Sequence, residues 1–141
     1  MSAGVDAGIR VRYEETDAMG VVYHANYLRY FEVGRVELLR SLGISYRDLE
    51  ARGARLAVVE TRMRFRAPAR FDDLLVVRCR LGRLRAARVE LSYEVLRSPE
   101  ERLVSGETVL ASLDVTGRPC RLPEALRSAF GAAASRSSAL D

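Results

Sequence analysis

The sequence predicts an α+β domain in which one long helix lies against a curved antiparallel sheet of about five strands. Three observations support this fold class: one stretch with apolar residues at helical spacing, one alternating segment before it, and four alternating segments after it. A single apolar helix needs a sheet wide enough to cover it, so we expect the sheet to wrap around the helix. A sheet of this size has exposed edges, and we therefore expect a dimer that continues the sheet.

The length and composition indicate one domain. The chain has 141 residues, of which 48% are hydrophobic, and this is the usual size of a single globular domain. We expect an N-terminal tail over 1–8, the domain over 9–130, and a disordered tail over 131–141, where bulky apolar residues are scarce. No stretch approaches the roughly 18 apolar residues of a membrane span, no leader pattern is present, and the two cysteines form no paired framework. We therefore expect a cytoplasmic protein without a membrane span.

The basic residues restrict the possible chemistry. All 23 of them are arginine, and the net charge is +4. Enzymes that depend on a lysine Schiff base or a phosphate-binding lysine are therefore excluded. Arginine forms bidentate contacts with phosphate, so the charge is compatible with nucleic acid or with a phosphorylated small molecule. A replacement of lysine by arginine through genome composition explains the same bias without any function.

The first strand is predicted over residues 9–15, where Ile9, Val11 and Tyr13 share one face and charged residues share the other. The segment TDAMGVVYHA that follows contains Gly20 within a short apolar run. This composition is typical of a loop, and here it connects the strand to the helix.

The long helix is predicted from Asn26 to about Leu42, with Gly43 as its C-cap. A short helix over 45–53 follows, opened by Ser45 and closed by Gly53. The face of the long helix that we expect to be buried consists of Tyr27, Tyr30, Phe31, Gly34, Leu38 and Leu42.

Four strands are predicted between residues 57 and 115, and short polar connections favour an antiparallel meander. A final helix of about two turns is framed by Pro119 and Pro123. The later strands are centred on 75–81, 89–95 and 103–115. The first strand of this group places Ala57, Val59, Thr61, Met63 and Phe65 on one face.

Two residue types that occur once in the chain lie together at the predicted start of the long helix. His24 is the only histidine, Asn26 is the only asparagine, and Asp17, Tyr13 and Tyr23 lie just upstream. The first turn of a helix presents backbone N–H groups that have no intrahelical acceptor. Such groups can hold an oxyanion, while a carboxylate such as Asp17 attacks an activated carbonyl or deprotonates water. This segment is therefore a candidate site for acyl transfer.

Each of these residues also has an ordinary structural interpretation. Asp17 after Thr16 is typical of a turn, Asn26 is typical of an N-cap, and His24 can satisfy backbone groups of the loop. From the residues alone, these structural roles are the stronger interpretation. The sequence contains no G-x-S-x-G elbow, and one histidine with two distant cysteines makes no usual zinc site.

The segment YEETDAMGVVYHANYLRYFE (13–32) closely resembles the motif of hydroxybenzoyl-CoA-type hotdog thioesterases, and is most similar to the bacterial Tol-Pal-associated acyl-CoA thioesterases. The similarity continues through APARFDDLLVV (67–77), and the order of elements agrees from about residue 8 to 130. The resemblance implies a hotdog fold that hydrolyses short to medium acyl-CoA or aroyl-CoA thioesters without a cofactor. It also implies a homodimer that assembles into a homotetramer, with each acyl site shared between subunits.

The resemblance assigns roles to several residues. Asp17 corresponds to the catalytic nucleophile or general base, and the backbone N–H of His24 corresponds to the donor to the thioester oxygen. The His24 side chain and Tyr13 correspond to positions that orient the carboxylate and water or transfer protons. Beside these roles, we predict that Asn26, near His24 at the start of the helix, contacts substrate.

Three further residues are predicted to bind substrate by the same resemblance. Glu32 matches an acidic position in the acyl pocket, although an ion pair with Arg29 or Arg35 is the stronger structural alternative. Arg85 and Arg88 lie in the turn GRLRAAR, where the family binds the phosphates of coenzyme A. The alanines between them leave the nucleotide contacts open.

Other functions compete with hydrolysis. A dehydratase of the same fold would usually have histidine in the place of Asp17, and a non-catalytic acyl-CoA-binding protein would not need this carboxylate. Nucleic-acid binding would use an arginine-rich sheet face, which lacks aromatic platforms and is diluted by Glu60, Glu90 and Glu94. We therefore expect no nucleic-acid partner. The arginines of that face are Arg62, Arg64, Arg66, Arg78 and Arg80.

Overall fold

A computed structural model describes the backbone of residues 4–140 and the side chains of residues 4–133. A 3₁₀ turn follows the first strand, and a long helix and a short helix precede the other four strands. The elements are β1 (Gly4–Arg10), the 3₁₀ turn (Tyr13–Glu15), α1 (Asn26–Ser41), α2 (Tyr46–Ala51), β2 (Arg55–Phe65), β3 (Leu74–Leu84), β4 (Arg88–Ser98), β5 (Glu101–Leu113) and α3 (Glu124–Leu140).

The five strands form one antiparallel sheet in the order β1-β3-β4-β5-β2, and α1 lies against it. The α+β class, the single long helix and the number of strands are confirmed. Apart from Leu42, which follows the helix and is only partly buried, the predicted apolar face of α1 is buried, because its residues complete a core with the inner face of β3, β4 and β5. The buried residues of α1 are Tyr27, Tyr30, Phe31, Gly34, Leu38 and Leu39.

Two glycines allow the helix to approach the sheet closely. A Cβ atom at Gly34 would lie 3.0 Å from Cγ1 of Val77, and one at Gly106 would lie 2.8 Å from the ring of Phe31. Gly43 has a φ of +78°, which is the conformation expected of a residue that ends a helix. The predicted end of α1 and the Ser45 cap of α2 are confirmed, since Ser45 Oγ accepts a hydrogen bond from Asp48 N at 3.3 Å.

The predicted position of the first strand is wrong. The strand covers Gly4–Arg10 and pairs along its whole length with β3, whereas Tyr13–Glu15 forms a 3₁₀ turn. The predicted tail over 1–8 is therefore wrong for residues 4–8, and residues 1–3 lie outside the described part. Alternation within 9–15 was a local pattern, while pairing with the buried strand β3 decides which residues are extended.

The predicted meander holds for β3, β4 and β5 but not for β2, which pairs with β5 at the far edge of the sheet. The connection 66–73 crosses the ends of the strands between β2 and β3. Along it, Arg66 N donates to Leu103 O (2.8 Å) and Asp72 N donates to Val11 O (3.0 Å). Because β1 occupies the place beside β3, β2 has to lie elsewhere.

Strand β2 is also less regular than its sequence suggests. A bulge lies between Val58 and Glu60, so the two faces are exchanged within the strand. As a result Val58 and Val59 are both about half exposed, as is Phe65. The prediction that Ala57, Val59, Thr61, Met63 and Phe65 share one face is wrong for this reason.

The last helix is longer than expected. Helix α3 runs to Leu140, so the backbone over 131–140 is helical rather than a disordered tail. The segment is rich in alanine, the best helix former, and Phe130 and Ala133 extend the contact with the core. Within 4–140, no helix is long and apolar enough to cross a bilayer.

Candidate active site

A tight hairpin precedes helix α1 and carries the predicted site. Asp17 N donates to Val21 O, and Tyr23 N donates to Glu15 O, both at 2.9 Å. Gly20 closes the turn with a φ of +79°, and its N–H donates to Asp17 O at 2.9 Å. The hairpin thus fixes the backbone on both sides of Asp17 directly before the helix.

The carboxylate of Asp17 is partly exposed and holds one intramolecular hydrogen bond, in which Oδ1 accepts from Met19 N at 2.8 Å. Asp17 therefore has the role in a turn that the structural interpretation predicts. Within residues 4–133 no donor contacts Oδ2. The same side chain can thus stabilise its turn through one oxygen and present the other to a ligand.

Two backbone N–H groups lie free just before the helix. Over residues 4–140 the structure contains no acceptor for the N–H of His24 or of Ala25, whereas Asn26 N donates to Tyr23 O (2.9 Å) and Tyr27 N to His24 O (3.3 Å). The free amides therefore precede α1 instead of lying in its first turn, which already has i−3 acceptors. Val21, whose backbone O accepts the hydrogen bond from Asp17 N, lies three residues before His24. The backbone between Val21 and His24 therefore spans at most about 10 Å.

The side chains of His24 and Tyr13 point to apolar neighbours. The His24 ring is exposed and lies 4.5 Å from the Tyr23 ring and 6.4 Å from the Phe65 ring, measured between centroids. The Tyr13 side chain is 76% exposed and meets Phe71 edge-on at 5.5 Å. Among the described residues, neither side chain hydrogen-bonds to Asp17, so their predicted catalytic roles stay predictions.

Asn26 is the first residue of α1 and not its N-cap, which is Ala25. Its side-chain Nδ2 donates to Glu15 O at 2.8 Å. This bond ties the hairpin to the helix, and it explains an asparagine here without a ligand. The predicted substrate contact of Asn26 stays a prediction.

Glu15 is a buried acid that the sequence analysis did not single out. Its side chain is 4% exposed, and its carboxylate accepts from Arg12 N (2.8 Å), from the Tyr30 hydroxyl (2.9 Å) and from the Arg12 guanidinium (3.3 Å). Burial alone would raise the pKa of Glu15, but the bonds from Arg12 and Tyr30 outweigh burial and hold this pKa below its usual value. Burial and the Glu15 charge raise the pKa of Tyr30. Alternation along the sequence did not signal this burial, because Tyr13, which has the same phase as Glu15, is exposed.

The connection 66–73 supports the hairpin from the other side. Val22 N donates to Ala69 O at 2.8 Å, and Ala69 N donates to the buried Tyr27 hydroxyl at 3.3 Å. Arg97 anchors this connection through Asp73 at 2.9 Å. The connection 66–73 therefore forms one wall of the candidate site. It does so because β2 and β3 are not neighbours in the sheet, which the sequence did not reveal.

Glu32 has no ion-pair partner among the described residues, so the predicted pair with Arg29 or Arg35 is not formed. Instead these three side chains help to line a cavity of about 240 Å³ between α1 and β2. This volume is below the range typical of sites for drug-sized ligands, so the cavity suits one slender chain more than a broad ligand.

Arg85 and Arg88 lie at the turn between β3 and β4 and are exposed. Ala86 O and Ala87 O accept from Leu122 N and Ser112 N, each at 2.9 Å, so the turn is fixed to β5 and to the segment before α3. Strand β3 separates this turn from the hairpin, and its 11 residues span about 33 Å. One chain therefore does not bring Arg85 and Arg88 next to Asp17.

Comparison with known proteins decides the family. The model of the thioesterase-like superfamily matches residues 11–130. A chloroplastic acyl-acyl carrier protein thioesterase, ATL3 of Arabidopsis thaliana, is 34% identical over 131 residues, which cover 92% of this chain and 69% of that protein. The chain belongs to the thioesterase-like superfamily.

Further relatives extend this result. The acyl-CoA thioester hydrolase YbgC of Escherichia coli O6:H1 is 31% identical over 86% of this chain and 92% of its own length. The crystal structure of a DHNA-CoA thioesterase from Staphylococcus aureus has a TM-score of 0.87 at 30% identity and covers 97% of this chain and 92% of that one. The fold of this thioesterase-like chain is the hotdog fold, as the resemblance implies. Similarity to the Tol-Pal-associated branch stays a prediction.

Three of the five arginines on the arginine-rich sheet face, and Arg102 beside it, have acidic neighbours that reduce the positive charge available to a nucleic acid on this member of the superfamily. Each of four arginines on or beside the face has a carboxylate within 4 Å. The pairs are Arg62–Glu60 (3.8 Å), Arg64–Glu107 (3.5 Å), Arg78–Asp6 (2.9 Å) and Arg102–Glu94 (2.7 Å). In the part of the chain with described side chains, no group of three or more His, Cys, Asp or Glu residues could hold a metal ion.

Proposed function

We propose that the chain hydrolyses acyl-CoA thioesters to a free acid and coenzyme A. One observation carries the proposal: a single hairpin and the two residues after it present a partly exposed carboxylate, Asp17, and two backbone N–H groups, of His24 and Ala25, that have no acceptor among the described residues. A carboxylate and preorganised N–H donors are the two components that acyl transfer requires. The names of YbgC and of the DHNA-CoA thioesterase support coenzyme A as the carrier.

The backbone N–H of His24 donates to the thioester oxygen and polarises the carbonyl, because it lies before the helix and no described residue competes for it as an acceptor. Asp17 then acts in one of two ways. As a nucleophile it forms an acyl anhydride and releases the coenzyme A thiolate, and water hydrolyses the anhydride. As a general base it takes a proton from water, which attacks the carbonyl and expels the same thiolate. Both routes give the same products.

A second subunit completes the site in this proposal. Strand β2 is an edge strand with one side unpaired in the single chain, and Val58, Val59 and Phe65 are exposed on it. Antiparallel pairing of β2 with its symmetry copy would place the Arg55 end of one strand beside the Phe65 end of the other. Through its pairing by β4 and β5, the Arg85–Arg88 turn lies near the Arg55 end of β2 in its own chain. The Arg85–Arg88 turn of the partner subunit would then approach the hairpin that carries Asp17.

Release of free thiol from a panel of acyl-CoA and aroyl-CoA esters tests the proposed reaction. The same acyl groups on N-acetylcysteamine test the role of the nucleotide, because this carrier has the thioester without the phosphates. We expect Arg85→Ala with Arg88→Ala to raise KM for the CoA esters about tenfold, the usual effect of losing charge-assisted bonds, and to leave the short thioesters unchanged. Arg47→Ala, another exposed arginine, is the control. Absence of thiol release from every ester would refute the proposal.

A further inference from the structure

The cavity between α1 and β2 has apolar walls and one half-buried cation. Leu28, Phe31 and Val58 supply apolar surface, and Thr108 and Arg35 supply polar groups at its inner side. Its volume is about 240 Å³. On α1 the lining of the cavity begins at Leu28, just after the free amides of His24 and Ala25, and continues to Arg35. The cavity therefore extends along the helix, away from the proposed reaction centre.

The guanidinium of Arg35 is only partly satisfied. It donates one hydrogen bond, to the Tyr93 hydroxyl at 3.2 Å. No carboxylate among the described side chains lies within 4 Å of it, although Glu32 is one helical turn away and lines the same cavity. Guanidinium has five N–H donors and no acceptor, so any group that binds here must offer acceptor atoms.

A buried pair of hydroxyl groups holds Arg35 in place. The Tyr93 hydroxyl lies 2.7 Å from Thr108 Oγ1, and both side chains are at most 2% exposed. The Tyr93 ring is stacked on the Phe31 ring, with centroids 4.2 Å apart and planes at 7°. Because these contacts fix the Tyr93 oxygen, the guanidinium bonded to it is directed before any ligand binds.

We propose that Arg35 recognises the distal end of the acyl group and selects acyl chains that carry an oxygen acceptor there. This inference rests on the proposed function, since it takes the thioester carbonyl to lie at the His24 amide. From His24 to Arg35 the chain advances 11 residues, about 16 Å at the helical rise, so the acyl group has to extend along the helix while the Arg35 side chain, like other long side chains in helices, leans back toward the helix N-terminus. A carboxylate or a hydroxyl can supply the acceptor, and the carboxylate gains more because its bond to arginine is charge-assisted.

Three esters of equal length test this inference: octanoyl-CoA, ω-hydroxyoctanoyl-CoA and octanedioyl-CoA. For the wild type we expect kcat/KM to be about tenfold or more higher for each oxygenated ester than for octanoyl-CoA, the usual effect of a hydrogen bond to a charged group. Arg35→Met keeps the length of the side chain and removes its donors, so both ratios should fall to about one. Glu32→Gln removes the nearby negative charge and should raise the ratio for octanedioyl-CoA alone.

Ratios within one variant are independent of the amount of folded enzyme, which separates recognition from stability. Arg40→Met is the matched control on the same helix, because Arg40 pairs with Glu37 and lines a different cavity. Tyr93→Phe keeps the stacked ring and removes the hydroxyl that directs Arg35, so it should lower both ratios in part. If Arg35→Met folds poorly, the kcat/KM ratios of Tyr93→Phe test the inference in its place.

Two outcomes have different consequences. If the wild type hydrolyses octanoyl-CoA and Arg35→Met leaves both ratios unchanged, the inference is wrong while the proposed function stands. If no ester is hydrolysed, the proposed function fails, and calorimetry with monomethyl octanedioate and methyl octanoate, which differ only in the distal carboxylate, decides the recognition by itself. Arg35 is then supported only if wild type binds the compound with the distal carboxylate more tightly and Arg35→Met removes that difference.

Discussion

Glu15 and Asp17 are two acids of the same motif, two residues apart, with opposite environments. Glu15 is buried and accepts hydrogen bonds from Arg12 and Tyr30, whereas Asp17 is partly exposed and accepts one bond from Met19 N. Both Glu15 oxygens accept hydrogen bonds inside the chain, Oε1 from Arg12 N and the Tyr30 hydroxyl and Oε2 from the Arg12 guanidinium. Asp17 retains an oxygen without a donor among the described residues.

The comparison shows how one hairpin can separate a structural acid from a chemical one. The charge of Glu15 stabilises the hairpin against α1 through Tyr30, since a buried carboxylate is tolerated only when it is hydrogen-bonded. Asp17 lies on the part of the hairpin that this arrangement holds in place. We infer that Glu15 contributes mainly to stability and Asp17 mainly to turnover, and each of the following experiments can separate these contributions.

The largest effect is expected from Asp17→Asn. Asparagine keeps an Oδ1 atom that can accept from Met19 N, so the turn should persist while the negative charge is lost. We expect thiol release to fall by at least about 100-fold, the typical size of a catalytic acid–base effect, with little change in the free energy of unfolding. Glu14→Gln, an exposed neighbour, is the control. A folded Asp17→Asn enzyme with wild-type activity would show that the two acids were assigned wrongly.

The second effect is the stability lost in Glu15→Gln. Glutamine can keep a carbonyl oxygen for Arg12 N and the Tyr30 hydroxyl, but the charge is lost and its NH2 group becomes a donor that faces the Arg12 guanidinium. We expect the free energy of unfolding, measured by urea denaturation, to fall by about 2 kcal/mol. Glu107→Gln on the exposed sheet face provides the matched control. Unchanged stability would mean that the buried charge does not hold the hairpin.

A smaller effect is expected from Tyr30→Phe. This change removes the hydroxyl that donates to Glu15 at 2.9 Å and keeps the ring that packs edge-on against Tyr27. We expect a loss of about 1 kcal/mol of unfolding free energy, and less than the sum of the single effects when it is combined with Glu15→Gln. Additive losses in this double-mutant cycle would show that Tyr30 and Glu15 act independently.

The sequence predicted the parts of this molecule that depend on local periodicity. The buried stripe of α1 and the three central strands follow from spacing, and the motif resemblance selected Asp17 and His24. The sequence did not reveal that β2 lies at the far edge of the sheet, beside β5, because this position depends on β1 occupying the place beside β3. The buried state of Glu15 was equally hidden, since it arises from contacts with Tyr30 and from Asn26 closing the hairpin onto the helix.

The smallest effect concerns pH, because only the part of the Glu15 contribution that depends on protonation is measured. The pKa of Glu15 is held below its usual value in the folded chain, so the unfolded chain binds more protons in the interval between the two values. The stabilisation is therefore fully present above the ordinary glutamate pKa of about 4.3 and is lost as pH falls through the pKa of the folded chain.

The pKa values of Asp6 and Asp73 are lowered too, so the dependence of wild-type stability on pH does not report on Glu15 alone. The stability difference between wild type and Glu15→Gln isolates the effect: it should be constant from neutral pH to about pH 5 and decrease below it. A difference that stays constant through this acid range would show that the Glu15 charge contributes nothing and that only its hydrogen-bond geometry matters.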